Sequence, residues 1–207
     1  MSVSVSELNA MKHAHAADGV LPVFQERWSP RAFSPREVSS QDLRRIFEAA
    51  RWAPSSNNAQ PWRYIVGLRG TSTHEKIHES LMGFNQAWAP KAPVLILGLD
   101  KTKFDHNDST NHFALYDLGA ASAYLVLQAA ALGIASHQMG GVDREKARTL
   151  LEIPADYHVA AAIALGYQDD PETLGNEELL KRELAPRDRK PLNQIALSAW
   201  GQPLDLG

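Results

Sequence analysis

The pattern of apolar and polar positions reads as helices alternating with a few strongly apolar strands. Ser4, with Glu7 three residues on, carries a capping signature for a first helix reaching about residue 17, and an irregular link follows over 19–22. Ser39 and Asp42 open a second helix to about Trp52, in which Leu43, Ile46, Phe47 and Ala50 recur at i, i+3, i+4 and i+7 before Pro54 ends it. Residues 62–68 (WRYIVGL) predict a strand, 72–82 a polar helix, and 93–99 (PVLILGL) a strand too apolar for a sheet edge. A long apolar helix is predicted over 113–132, a short strand over 135–138, a helix from the Asp143 cap to Leu151, and a buried strand over 158–166 (HVAAAIALG). From Asp169 onward the chain is polar and shows no core-forming periodicity until 192–195.

Two segments of this pattern carry consequences. The uncharged run 118–134 is short for a membrane span, rich in small residues and without a basic flank, so it predicts a helix buried on all sides. The final stretch cannot bury itself. Either it is a floppy tail or it packs on another surface, and a homodimer interface is the economical choice because two-fold dimers dominate soluble oligomers.

A length of 207 residues suits one domain, here with an N-terminal helical arm (1–20) and a C-terminal extension (169–207). The balance of 21 Lys and Arg against 24 Asp and Glu gives a net charge of -3, so no global field favours nucleic acid. Cysteine is absent, which removes disulfides, thiol nucleophiles and cysteine-ligated metals and suits a reducing compartment. The N-terminus lacks a basic head followed by an apolar run, so no secretory signal is read and a cytoplasmic location is expected.

Several chemical signatures fail. There is no G-x-G-x-x-G after a strand, no phosphate-binding G-x-x-x-x-G-K and no G-x-S-x-G elbow. His74-Glu75-Lys76-Ile77-His78 matches the zinc-peptidase H-E-x-x-H by letter. Lys76 would set a cation beside the metal, Leu81 stands where the extended motif has glycine, and no third ligand follows at the right distance. A solvated helix face with two surface histidines is the preferred reading, and no metal is expected.

The chemistry concentrates between Arg27 and Arg63, which holds seven of the chain's thirteen arginines. Arg27 and Arg31 bracket Trp28-Ser29-Pro30, and two guanidiniums, a hydroxyl and backbone amides so close together suit an anion clamp or, equally, a solvated basic surface. Pro54 to Trp62 (PSSNNAQPW) offers hydroxyl and amide groups without a nucleophile-base pair, which suits recognition of a polar heterocycle or a plain polar loop. Arg187-Asp188-Arg189-Lys190 adds cations near the other end, and Gly140-Gly141 leaves backbone open to a flat ligand.

Taken in order, Arg27-x-Ser29-x-Arg31, the block from Ala49 to Trp62 (AARWAPSSNNAQPW), the helix end from Ala129 to Gly133, and Arg189-Lys190-Pro191-Leu192 resemble the nitroreductase family of flavin mononucleotide (FMN) oxidoreductases. The likeness runs over about residues 20–195. It implies an α+β fold with a central mixed sheet flanked by helices, and an intertwined homodimer with exchanged C-terminal segments and two FMN sites at the interface. Arg27, Ser29 and Arg31, with Arg189 and Arg187, would then hold the phosphate and ribityl chain, with Trp28 among them. Ser55, Ser56 and Asn58 would reach the flavin from the partner subunit, and Gly140 and Gly141 would lie beside the ring.

Two positions depart from the family pattern. Many members carry Glu-Gly where Gly140-Gly141 stand, and a basic residue or histidine at Trp28. The implied activity is NAD(P)H-dependent reduction of nitroaromatics, quinones or similar small conjugated acceptors by a ping-pong hydride cycle, with the flavin carrying the chemistry and no side chain acting as acid or base. Alternatives are a specialised flavin dehydrogenase, dehalogenase or flavin-fragmenting enzyme, or a flavin-binding sensor or storage protein. The aromatic-rich segment 84–113, with Trp88 and Phe104, is expected to wall the acceptor pocket or to pack the core.

Overall fold

In the computed structural model, which describes residues 3–206, the most apolar stretch of the chain becomes the middle of a sheet. Strand β2 (Val94–Lys101) lies between β1 (Trp62–Leu68) and β4 (Tyr157–Gly166), and β3 (Ala135–Met139) lies outside β4. Alternate β2 side chains feed two separate cores. Leu95, Leu97 and Leu99 meet Ile77, Trp88 and Met139 on one face, whereas Val94 and Ile96 meet Ile46, Leu118 and Leu125 on the other. Because both faces are covered, the strand shows no polar alternation in sequence. Full burial of each such leucine contributes roughly 1.5–3 kcal/mol.

Helices α3 (Ser40–Arg51) and α6 (Ala114–Ala131) cover the second face. Helices α4 (Ser72–Ser80) and α7 (Arg144–Leu150) help cover the first. Gly67 lets α4 settle directly on β1, since a Cβ there would fall 2.5 Å from the His74 backbone. The N-terminal helix α1 (Val5–Lys12) is closed by the expected box, with Ser4 N–H donating to Glu7 at 2.9 Å and Glu7 N–H to Ser4 Oγ at 3.3 Å.

The α+β class stands, with several corrections. All three pairings of the main sheet are antiparallel, so the mixed sheet expected from the resemblance is not formed among the described residues of one chain. Among the described residues the edges β1 and β3 find no further neighbour, and the tail strands β5 (Leu197–Ala199) and β6 (Gln202–Pro203) pair only with each other. Helix α1 ends at Lys12 rather than near residue 17, because His13 turns extended and the Ala14 amide donates to the Gln25 carbonyl at 2.9 Å, while the Lys12 ammonium donates to the Ala185 carbonyl. The supposed irregular link at 19–22 leads into a short helix, α2 (Pro22–Glu26), with proline at its first position, where no N–H is needed.

Helix α6 is not buried all round. Ala121, Leu125 and Ala129 face the core, while Leu115, Tyr116 (79% exposed) and Tyr124 stand in solvent on an apolar outer face. Composition cannot separate a fully enclosed helix from one whose second apolar face awaits a partner. Among the described residues no helix is long and apolar enough to cross a membrane.

The polar C-terminal stretch hides helix α8 (Glu177–Leu184), whose Leu179 joins the core together with Pro171 and Leu174 nearby. Two turns are too few to display a period. Conversely, Leu192 and Ile195, the expected core formers, are exposed, and Trp200 is 97% exposed.

Candidate cofactor site

Arg27 caps the C-terminal end of α2, and Pro30 holds the following segment extended toward the sheet. Here the chain's two ends meet. The Arg31 and Ala32 amides donate to the Glu183 carboxylate of α8 at 2.9 to 3.2 Å, and the Arg31 guanidinium lies 3.5 Å from it. Glu183 is fully buried. Burial pushes its carboxyl above the usual range against the opposing pull of these two amides, Arg31 and Lys12. Arg187 extends the lock by donating to the carbonyls of Lys12 (2.6 Å) and Gln25 (2.8 Å).

The junction encloses a cavity of about 200 Å³ lined by Lys12, Arg27, Ser29, Arg31, Arg187 and Arg189, with Trp28 and Arg182 at its wall. Arg27 and Arg187 are held below the usual arginine range by burial first and by neighbouring guanidiniums second. The Nε of Arg31 is buried without a hydrogen-bond partner. A cluster this cationic, with one buried carboxylate and an orphaned guanidinium N–H, is electrostatically incomplete and suits an anion. Sequence inspection missed Lys12, Arg182 and Glu183. A single acid one turn beyond Leu179 was the available signal for Glu183.

Trp28 forms the partition to a larger neighbouring cavity of about 630 Å³, which also touches Asn9, Arg36 and Tyr167. Its indole N–H donates to Asn9 Oδ1 at 2.8 Å, and the Lys12 ammonium sits 4.8 Å from its ring centroid. The larger cavity holds fewer cations, and its Arg36 is already stacked 3.7 Å over Tyr167. The smaller cavity is therefore the stronger anion site.

His137 on β3 supports this region from below, its Nδ1 lying 3.0 Å from the Pro30 carbonyl and its ring packed on Trp88 at 4.6 Å. Burial, reinforced by the charges of Arg31 and Arg27, pushes the imidazole down to about 4. It is therefore neutral near pH 7, and its Nδ1–H donates to Pro30.

Ser55, Ser56 and Asn58 do not line the cationic cavity of their own chain. Their loop is anchored on α6 through Ser56 N–H to the buried Asp117 (3.1 Å), and Gln60 N–H donates to Ser55 Oγ (3.0 Å). Asn57, Asn58 and Gln60 all adopt left-handed backbone, with φ of 52°, 52° and 48°. Three such residues within four positions store strain of the kind found at binding sites.

Gly140 and Gly141 also lie outside the cavity. Gly141 accepts from the Met82 amide at 2.9 Å, and a Cβ on it would fall 2.8 Å from the Asn85 side chain. Asn85 belongs to α5 (Gly83–Gln86), whose Phe84 ring reaches back to Arg31 and Arg182.

Of the expected acceptor wall, Trp88 is wholly buried and stacked on Phe33, so it packs the core. Phe104 packs on His106. The H-E-x-x-H reading also resolves. His74 is buried rather than on the surface, with Nε2 3.0 Å from the Ala92 carbonyl, because α4 lies against Gly67. His78 is engaged separately with the Gln86 carbonyl, and no group of three metal-binding side chains occurs among the described residues.

The model of the nitroreductase family matches residues 24–87 and 69–167. A solved structure described as an oxidoreductase containing FMN is 34% identical, covers 90% of this chain and 94% of its own, and superposes with a TM-score of 0.83. An FMN-dependent nitroreductase from Clostridium difficile is 26% identical with a TM-score of 0.60, covering 72% of this chain and 87% of its own. An NADH dehydrogenase from Thermus thermophilus is 30% identical, with 83% of this chain and 92% of the relative covered. A shared fold, a matching family model and an anion-seeking junction at the quoted arginines lead to one statement: the chain belongs to the nitroreductase family.

Proposed function

We propose that the protein is an FMN-dependent oxidoreductase, acting in the cytoplasm as a homodimer, that takes reducing equivalents from NADH or NADPH and passes them to nitroaromatics, quinones or similar small conjugated acceptors. The observation that carries this reading is the convergence of Arg27 and Arg31 with Arg189 on one cavity from opposite ends of the chain. The FMN phosphate carries nearly two negative charges, and the orphaned Arg31 Nε is a donor suited to such an anion. Arg27, Ser29, Arg31 and Arg189 would hold the phosphate and ribityl chain. Arg187, committed to two carbonyls, positions the segment that brings Arg189 in.

Bound there, FMN supplies the hydride chemistry, so donor and acceptor would use one open face in turn. The chain's part is to retain the cofactor, shape the surroundings of the ring through α5 and Gly140-Gly141, and keep titrating side chains out. Neutral His137 fits that role.

Homodimer formation is supported by what one chain leaves unfinished. The outer face of α6 and Leu192, Ile195 and Trp200 of the tail are apolar and exposed, and Ser55, Ser56 and Asn58 stand away from their own clamp. In this reading the tail of each chain packs on its partner, and each polar loop completes the partner's site.

The deciding experiment is the absorption spectrum of purified protein under anaerobic NADPH or NADH. A yellow protein that bleaches, and recovers its colour with an acceptor, supports the enzyme. Colour that never bleaches points to a flavin-binding sensor, and protein that stays colourless after soaking with FMN refutes the reading.

A further inference from the structure

Arg182 touches the cationic cavity but takes no part in its internal bonding. It precedes Glu183 on α8, yet its guanidinium turns to the Phe84 ring, 4.4 Å from the centroid, where Arg31 approaches the same ring at 6.0 Å. Its Nε donates to Glu178 at 2.9 Å, a bond that leaves both terminal nitrogens outside it. A guanidinium lying on an aromatic face keeps its N–H donors at its rim, so stacking orients them without consuming them.

The two arginines differ in access. The Arg31 side chain is 20% exposed and paired with the buried Glu183, whereas that of Arg182 is 54% exposed and paired with the exposed Glu178. Phe84, itself partly exposed, precedes Asn85, which packs on Gly141. Arg182 thus stands where the phosphate clamp gives way to the surroundings expected for the ring. Its charge is felt at Arg31, whose pKa it helps to lower. A phosphate bound by Arg27 and Arg31, which are half-buried, would leave the more exposed Arg182 to meet a molecule that comes and goes.

We propose that Arg182, oriented by Phe84, is a specificity-determining residue that selects an anionic group, phosphate or carboxylate, on the exchangeable reactant. The inference rests on the flavin-enzyme reading above. Two sources present that chemistry: the 2′-phosphate of NADPH and a carboxylate on an aromatic acceptor.

The test compares holoenzyme with Arg182→Gln, which removes the charge and leaves a shorter polar side chain with an amide donor. Three quantities are measured: the NADPH to NADH ratio of kcat/KM, the same ratio for 4-nitrobenzoate over 4-nitrobenzamide, and the calorimetric Kd of 4-nitrobenzoate. One ratio is expected to fall about fivefold, through KM rather than kcat, with the difference shrinking in high salt. Arg182→Lys should restore part of it. A fall in the nucleotide ratio assigns the contact to the donor phosphate; a fall in the acceptor ratio, with a weaker Kd, assigns it to the carboxylate. Changes below about twofold in all three quantities, in variant protein with wild-type flavin content, overturn the proposal. Should neither nucleotide bleach the wild type, the flavin-enzyme reading fails on its own, and the calorimetric Kd still decides for or against Arg182.

Discussion

The cationic junction and the polar loop at 54–60 are built on opposite principles. At the junction, residues more than 150 positions apart are locked by a fully buried carboxylate, and the cavity is lined from both ends of one chain. The loop is local and half-exposed, with three left-handed residues and a single long-range anchor from Ser56 to Asp117. The first is assembled within one chain, and its cluster of cations suits an anion. The second carries recognition groups with nothing of its own chain to recognise. Each chain, in our reading, supplies a complete phosphate clamp and lends its loop elsewhere.

The largest effect should come from breaking the junction where it faces its anion. Arg27→Ala combined with Arg189→Ala is expected to weaken FMN retention by about 3–6 kcal/mol, at roughly 1.5–3 for each charged hydrogen bond lost. Flavin content after gel filtration and the Kd for added FMN report it; full occupancy in the double variant would remove the clamp.

Next is the floor beneath the junction. The folded imidazole of His137 titrates near 4 against about 6.5 when unfolded, so its contribution to stability is present above pH 6.5 and is lost as pH falls toward 4. The linkage amounts to about 3 kcal/mol. Urea unfolding at pH 7 and pH 4.5 should show that loss in the wild type and a flatter profile in His137→Gln. Equal pH dependence in both proteins would mean that the histidine is not held neutral.

The loop should give the smallest change in stability and the more informative one. Asp117→Ala leaves the Ser56 amide without its acceptor, a cost of about 1–2 kcal/mol in unfolding free energy. Because the loop stands away from its own clamp, flavin affinity should fall as well, provided the partner uses it. Unaltered flavin affinity in a folded Asp117→Ala dimer would separate the loop from the site and collapse the contrast between the two regions.

Much of this protein was legible from local signals. Ser39 and Asp143 each cap a helix with their side chains, the apolar runs around 94–101 and 157–166 became the two inner strands of the sheet because a two-sided core accommodates them, and 62–68 became an edge strand. The density of guanidinium groups singled out Arg27 and Arg31, which with Arg189 line one cavity, and the block ending in Trp62 was visible as kinship. Tertiary structure alone decided the rest. It buried His74 against Gly67, bonded Arg187 to the Lys12 and Gln25 carbonyls, left one face of α6 bare, and drew Glu183 from an unremarked helix under Arg31. The physical reason is range. Caps and periodicity act within a turn or two of chain, whereas burial, and the pairing that burial demands of a charge, depend on groups that meet only after the chain has folded.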